Sequence, residues 1–191
     1  MRIVGGKFRG REIKGPVGSA TRPTSDRVRE SIFNILAHGI AEFELDGARV
    51  MDLFAGTGAL GLEAISRGAK FCLFVEEDSG ARGVIRTNAD SCGVIGQCKI
   101  WRRDATSLGP SAPQTPYSLV FVDPPYGKGL GEKALASLIE GGWLLPNAIV
   151  VLEETEKAIV ADVEGLNLID QRVYGETQVR IYRHGFLAAP E

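Results

Sequence analysis

The stretch from residue 49 to 67, Arg-Val-Met-Asp-Leu-Phe-Ala-Gly-Thr-Gly-Ala-Leu-Gly-Leu-Glu-Ala-Ile-Ser-Arg, restricts the fold of this chain more than any other. Val50, Met51 and Leu53 read as a buried strand, the glycines that follow as a tight turn, and the apolar residues up to Ile65 as a helix. Gly56, Gly58 and Gly61 fit the pattern G-x-G-x-x-G, and Glu76 falls 20 residues after Gly56, behind the apolar run at 71 to 75. A strand, a glycine turn, a helix and a second strand make the repeating unit of a parallel sheet. In that unit the turn lets backbone approach a ligand closely, and an acid one strand later can take a pair of ribose hydroxyls.

A nucleoside cofactor follows from that geometry, and the glycine pattern alone suits NAD and S-adenosyl-L-methionine alike. Asp52, a carboxylate just ahead of the turn, favours a ligand with an ammonium group over a pyrophosphate, which it would repel.

A second constellation lies at 119 to 126, Leu-Val-Phe-Val-Asp-Pro-Pro-Tyr. Four apolar residues in a row predict a strand buried on both faces, with Asp123 where it leaves the core. Pro124 and Pro125 remove two backbone donors and fix two φ angles, so the chain can neither extend the sheet nor enter an ordinary helix there. The result is a rigid turn holding a carboxylate, a Pro124 carbonyl without a competing local amide, and the ring of Tyr126. It is a seat for a flat group with an amino donor, such as the exocyclic amine of a nucleobase.

With 191 residues, 24% of them charged, the chain is the size of one α/β domain, without the composition of a fibrous or disordered protein. No run approaches the ~20 apolar residues of a membrane span, and the N-terminus lacks a signal-peptide pattern, so a cytoplasmic protein without a membrane partner is expected. Cys72, Cys92 and Cys98 lack C-x-x-C spacing and read as reduced structural thiols, with no metal site implied. Charge is uneven: residues 1 to 29 hold eight Lys and Arg against two acids, net +6, which leaves −8 on the remainder of a chain whose total is −2. A basic arm on an acidic body suits a protein that grips phosphates at one edge. Arg2, Lys7, Arg9, Arg11, Arg22 and Arg27 are its candidate phosphate contacts, and Phe8 between Lys7 and Arg9 can stack on a base or dock on the domain.

The glycines of residues 1 to 20 predict a β-ribbon or extended arm, followed by a single domain over 21 to 191. A helix begins behind Thr24 or Ser25, carries Val28, Ile32, Ile35 and Leu36 as its apolar stripe, and ends at Gly39. Further helices are predicted over 80–88 and 132–141, and strands over 98–101 and 148–152. Strands over 166–174 and 178–183 should form a hairpin around Gly175, Glu176 and Thr177. Residues 107 to 116 read as a surface loop, and 127 to 133 as a lid or linker. The expected fold is a doubly wound, mostly parallel sheet with helices on both faces and an antiparallel edge, its ligands at the carboxyl ends of the strands.

Taken in order, the glycine turn, Glu76, Asp104-Ala105 and Asp-Pro-Pro-Tyr resemble the class I S-adenosylmethionine-dependent methyltransferases that act on amino groups. Three further segments make the chain similar to the bacterial 16S ribosomal RNA guanine-966 N2-methyltransferases. They are Ile-Val-Gly-Gly-Lys-Phe-Arg-Gly-Arg at 3 to 11, Arg-Pro-Thr-Ser-Asp-Arg-Val-Arg-Glu at 22 to 30, and Asp-Leu-Phe-Ala-Gly-Thr-Gly-Ala-Leu-Gly-Leu-Glu-Ala at 52 to 64. The resemblance implies a seven-stranded sheet of order 3-2-1-4-5-7-6. It implies that Asp52, Phe54, Ala55, Gly56, Thr57 and Gly58 hold the methionine part of the cofactor, Glu76 the ribose, and Asp104 with Ala105 the adenine. Asp123, Pro124, Pro125 and Tyr126 would hold the target amine.

The implied partner is 16S ribosomal RNA, naked or within a small-subunit assembly particle, met by a monomeric enzyme. Three rivals remain at this level: a DNA amino-methyltransferase, an NAD-dependent oxidoreductase, and a non-catalytic RNA-binding assembly factor. The first generally needs a separate target-reading domain, and the second leaves the tetrapeptide and the basic arm without a role.

Overall fold

The computed structural model describes residues 1–15, 24–111 and 116–185; Arg22, part of the 107–116 loop and the last six residues of the chain lie outside the described residues. The chain divides into two compact units, Met1–Asp104 and Ala105–Glu191.

In the first unit, α1 (Asp26–His38) starts behind Ser25, whose hydroxyl accepts the Val28 N–H at 3.2 Å, and ends at Gly39. β1 (Arg49–Leu53), α2 (Ala59–Ser66) and β2 (Phe71–Val75) make the predicted strand–turn–helix–strand unit. α3 (Ser79–Ser91) is longer than its apolar pattern suggests, because the Asp78 carboxylate caps it through the Ala81 N–H at 2.7 Å. β3 (Cys98–Trp101) follows. β1 pairs with β2 and β2 with β3, both parallel. Every residue of α2 is buried, which explains why its sequence shows no polar face.

In the second unit, β4 (Tyr117–Val122) leads through the Pro-Pro turn to α4 (Leu130–Gly141). β5 (Leu144–Thr155) pairs parallel with β4, β7 (Thr177–His184) antiparallel with β5, and β6 (Leu166–Tyr174) antiparallel with β7. The hairpin closes through Gly175 and Glu176 alone, with Gly175 at φ 60, so Thr177 already belongs to the strand. Strand order is β3-β2-β1-β4-β5-β7-β6, the seven-stranded arrangement implied by the resemblance.

Two elements differ from their sequence pattern. The strand expected over 148–152 starts four residues earlier, at Leu144, and passes Pro146 and Asn147 before its apolar stretch. Its pairing with β4 shifts register between Tyr117 and Leu119, and that irregularity tolerates a proline and the left-handed Asn147 (φ 62). α4 begins at Leu130 behind a left-handed Gly129, so much of the lid or linker segment is the first turn of a helix. Buried Gly131 faces Leu152 and Pro124 there, which ties this turn to the core. Among the described residues no helix is long and apolar enough to cross a membrane.

Candidate active site

The glycine turn after β1 is built from backbone in conformations that most side chains avoid. Gly56 and Gly58 have φ 56 and 79, and Phe54 adopts φ 56 although it is not a glycine. A bulky residue held there is strained by about 1–3 kcal/mol, and such strain concentrates where chains bind ligands. Gly61 answers to a different constraint. A Cβ at that position would stand 2.6 Å from Cys72 Sγ and 2.8 Å from Phe74 Cζ, so α2 can lie this close to β2 only without a side chain.

Carboxylates brace the turn on two sides. Asp52 is 1% exposed, and its Oδ2 accepts the Gly61 N–H at 3.0 Å, fixing the first turn of α2 to the end of β1. Glu76 follows β2 directly. Its Oε2 accepts the Gly56 N–H at 2.9 Å, while Oε1 accepts the Asp78 N–H at 2.9 Å. One bond on each oxygen leaves a carboxylate further acceptor capacity, which is what a ribose diol requires. Phe54, Gly56 and Thr57 are partly accessible, whereas Ala55 and Gly58 are buried. Half-buried Asp104 closes the first unit, and Ala105, 3% exposed, opens the second.

In the second unit the tetrapeptide leaves β4 with Asp123 half-buried, Pro124 buried, Pro125 exposed and Tyr126 half-buried. The turn is anchored at both sides of the ring. Tyr126 Oη lies 3.2 Å from Thr177 Oγ1, and the Gly127 N–H donates to Glu154 Oε1 at 3.0 Å. Burial pushes the Tyr126 phenol up to about 12; the Thr177 hydrogen bond pulls against this, and the carboxylates of Glu153, Asp123 and Glu154 add to it. The ring is therefore a neutral surface at physiological pH and cannot serve as a base.

The basic arm is less free than its composition suggests. Arg2 and Glu12 form an antiparallel bridge, Ile3 and Ile13 are buried, and the Lys7 N–H donates to the Ser66 carbonyl at 2.7 Å. Arg2, Lys7, Arg9, Arg11 and, on α1, Arg27 are exposed; Arg22 lies outside the described residues. Lys7 Nζ and Arg11 Cζ stand 5.6 and 5.9 Å from the centroid of the half-buried Phe8 ring. Arg11 also donates to the Ser91 carbonyl.

Sequence reasoning missed the residue that holds this arm. Glu63 is fully buried on α2; its two oxygens accept the Val4 and Gly5 N–H groups at 2.9 and 2.8 Å and pair with Arg29 Nε at 3.4 Å and Arg67 Nε at 2.8 Å. Arg29, which reads as a surface cation at a helix entrance, is itself buried, and it donates to the Arg2 carbonyl and to Asp26 Oδ1. An acid within an otherwise apolar helix and an arginine where an apolar stripe should continue were the available signals. Asn88 on α3, 1% exposed, is a second anchor: it pairs with Lys14 backbone and reaches Thr57 in the glycine turn.

The thiols are structural. Burial, then the Asp52 carboxylate and Cys98, raise the Cys72 thiol well above its ordinary range, and burial followed by Cys92 pushes Cys98 up to about 12. Neither is a nucleophile at neutral pH.

Residues 1–183 match the family model described as "Conserved hypothetical protein 95". The chain belongs to this family. Ribosomal RNA small subunit methyltransferase D of Escherichia coli is 36% identical over 96% of this chain and 89% of its own length. The solved yhhF structure from Escherichia coli superposes with a TM-score of 0.82 at 34% identity, covering 97% of this chain and 98% of that one. An RNA methyltransferase from Salinibacter ruber, solved with S-adenosyl-L-homocysteine, shares the fold at 16% identity with a TM-score of 0.64, over 89% of this chain and 98% of its own. Class I methyltransferase architecture and membership of a family with named ribosomal RNA methyltransferases thus stand beside the site geometry.

Proposed function

We propose that this chain transfers the methyl group of S-adenosyl-L-methionine to the exocyclic N2 of a guanine in 16S ribosomal RNA, the guanine-966 type of reaction. The observation that carries the reading is the anchored Asp123-Pro124-Pro125-Tyr126 turn in a chain whose other unit bears a glycine turn braced by the Glu76 carboxylate. Family membership and the name of the Escherichia coli relative support ribosomal RNA as the substrate class.

The residues present fit the cofactor. Glu76 offers the ribose a carboxylate already aligned by the Gly56 and Asp78 amides, Asp104 and Ala105 receive the adenine, and residues 54 to 58 hold the methionine part. Asp52 keeps that loop against α2 and places negative charge beneath the end that receives an ammonium group. The sulfonium of S-adenosyl-L-methionine supplies an activated methyl, so the protein needs neither a metal nor a covalent intermediate.

Guanine N2 is a weak nucleophile because its lone pair is delocalised into the ring. Asp123 and the Pro124 carbonyl accept its two hydrogens, which favours a pyramidal nitrogen with its lone pair directed at the methyl carbon. Transfer would be in line, with S-adenosyl-L-homocysteine leaving as the N–C bond forms, and the proton that the amine donates to Asp123 would pass to that carboxylate. Tyr126 stacks on the base, which must be unpaired or swung out to reach the seat. Arg2, Lys7, Arg9, Arg11, Arg22 and Arg27 supply phosphate contacts.

Incubation with methyl-labelled S-adenosyl-L-methionine and 16S ribosomal RNA, naked and as small-subunit particles, tests this. Label should be recovered as N2-methylguanosine from at least one substrate. Its absence from both, or its recovery in a different nucleoside, would overturn the assignment.

A further inference from the structure

Asn88 lies outside both motifs, yet its side chain joins two segments that the proposed function keeps separate. Oδ1 accepts the Lys14 N–H at 2.9 Å, and Nδ2 donates to the Lys14 carbonyl at 3.1 Å and to the Thr57 carbonyl at 3.0 Å. Lys14 lies beside Gly15, the last described residue of the basic arm, and Thr57 is the central residue of the Gly56-Thr57-Gly58 turn. The side chain is 1% exposed, so water does not replace any of these partners cheaply.

One amide orientation alone satisfies all three. Rotating it by half a turn would set NH2 against the Lys14 N–H and the carbonyl oxygen against two backbone carbonyls. A shift of the turn that displaces Thr57 strands a buried Nδ2 hydrogen without its acceptor, so the amide that also holds Lys14 is fully satisfied only while the turn stays in place. The reverse holds for a shift of the arm.

We infer that Asn88 is a positioning residue that couples the donor turn to the RNA-gripping arm, so that RNA on the arm tightens methyl-donor binding and the donor tightens RNA binding. This rests on the proposed function, in which the turn holds the donor and the arm holds RNA. Each ligand orders one side of a shared clamp, so the second meets a partner already fixed. Linkage requires the effect to be equal in both directions. Asn88 touches neither reacting group, and its loss removes the direct link between Thr57 and Lys14 while Glu63 and Ser66 still hold the arm on α2.

The test is a binding square with S-adenosyl-L-homocysteine and a 16S ribosomal RNA fragment, each titrated with the other absent and saturating. In the wild-type chain each ligand should tighten the other by about 5-fold or more, the range of ordinary allosteric coupling. Asn88→Asp keeps the acceptor for Lys14 but sets oxygen against both carbonyls, and Asn88→Ala removes the clamp. In either variant the factor should fall towards ~1, with each ligand still binding alone. A wild-type factor of ~1, or an unchanged factor in the variants, overturns the coupling. Failure of the wild-type chain to bind either ligand overturns the proposed function itself and is distinguishable from both.

Hydrogen exchange on the unmodified protein gives a readout that does not depend on the variants folding. Saturating S-adenosyl-L-homocysteine should slow exchange at the Lys14 amide; no change there also overturns the inference.

Discussion

Replacing Glu63 by Gln probes the arm without touching the Gly56–Gly58 turn or the Asp123–Tyr126 turn. The carboxylate holds two arm amides and two guanidinium groups, and both Glu63 and Arg29 are fully buried. Glutamine keeps the shape and one acceptor, but its NH2 must face the Val4 N–H, the Gly5 N–H or a guanidinium, and the buried Arg29 loses half of its charge compensation. Removing one partner of a buried pair costs about 3–5 kcal/mol. Arg29 retains Asp26 Oδ1 at 2.8 Å, although that carboxylate is 46% exposed and screened, and Arg67 is partly solvated. The expected loss is therefore trimmed to about 2–4 kcal/mol. For a chain of this size it lowers the melting temperature by about 4–16 °C. Thermal unfolding by circular dichroism reads the shift, and titration with RNA and with S-adenosyl-L-homocysteine separates its consequences. RNA affinity should fall more than donor affinity, because the arm loses its anchor while the turn keeps Glu76 and Asp52. A melting temperature within about 2 °C of wild type would refute the assignment of Glu63 as the anchor.

Asp123→Asn should cut kcat by at least about 100-fold, the usual size of a positioned acid–base contribution, with S-adenosyl-L-homocysteine affinity unchanged; near-normal turnover removes Asp123 from the chemistry. Gly61→Ala drives a methyl into Phe74 and Cys72, and overpacking of about 1–3 kcal/mol should outweigh the gain of about 1 kcal/mol in helix propensity. A rise in melting temperature would refute that packing argument. Tyr126 has a folded pKa of about 12, above the ordinary value near 10, so its neutral phenol is favoured by the fold. That contribution to stability is complete below pH ~10 and is lost as pH rises towards 12. No ionisation of Tyr126 should therefore appear in kcat profiles below pH ~10, and Tyr126→Phe should keep most activity while Tyr126→Ala loses about 5- to 150-fold with the stacked ring. Joint replacement of Arg9 and Arg11 by Gln should reduce the slope of log affinity for RNA against log salt by about 1–2; an unchanged slope places these residues outside the interface.

The parts of the molecule legible in sequence are those governed by local rules. Gly56, Gly58 and Gly61 with Glu76 announced the turn because backbone geometry there admits few residues, and the unbroken apolar run of β4 announced a strand covered on both faces. The hairpin was legible from Gly175. What stayed hidden depends on partners far along the chain. Arg29 looks like a solvated cation until Glu63, 34 positions away, is seen beside it. Asn88 looks like a helix-surface amide until Lys14 and Thr57 arrive from elsewhere. Pro146 argues against a strand until the register shift beside Tyr117 makes room for it. Polar groups reveal little about burial on their own, since any of them is tolerated inside once its partners are supplied from distant sequence.

The burial of all eight residues of α2 bears on how the proposed donor site would meet its ligand. A helix with no wet side cannot rock or slide without opening a void in the core, so the Gly58 end of the turn that leads into it is held in place before any ligand arrives. Any ordering that a donor brings then falls on the residues ahead of Gly58, where Asn88 meets the Thr57 carbonyl.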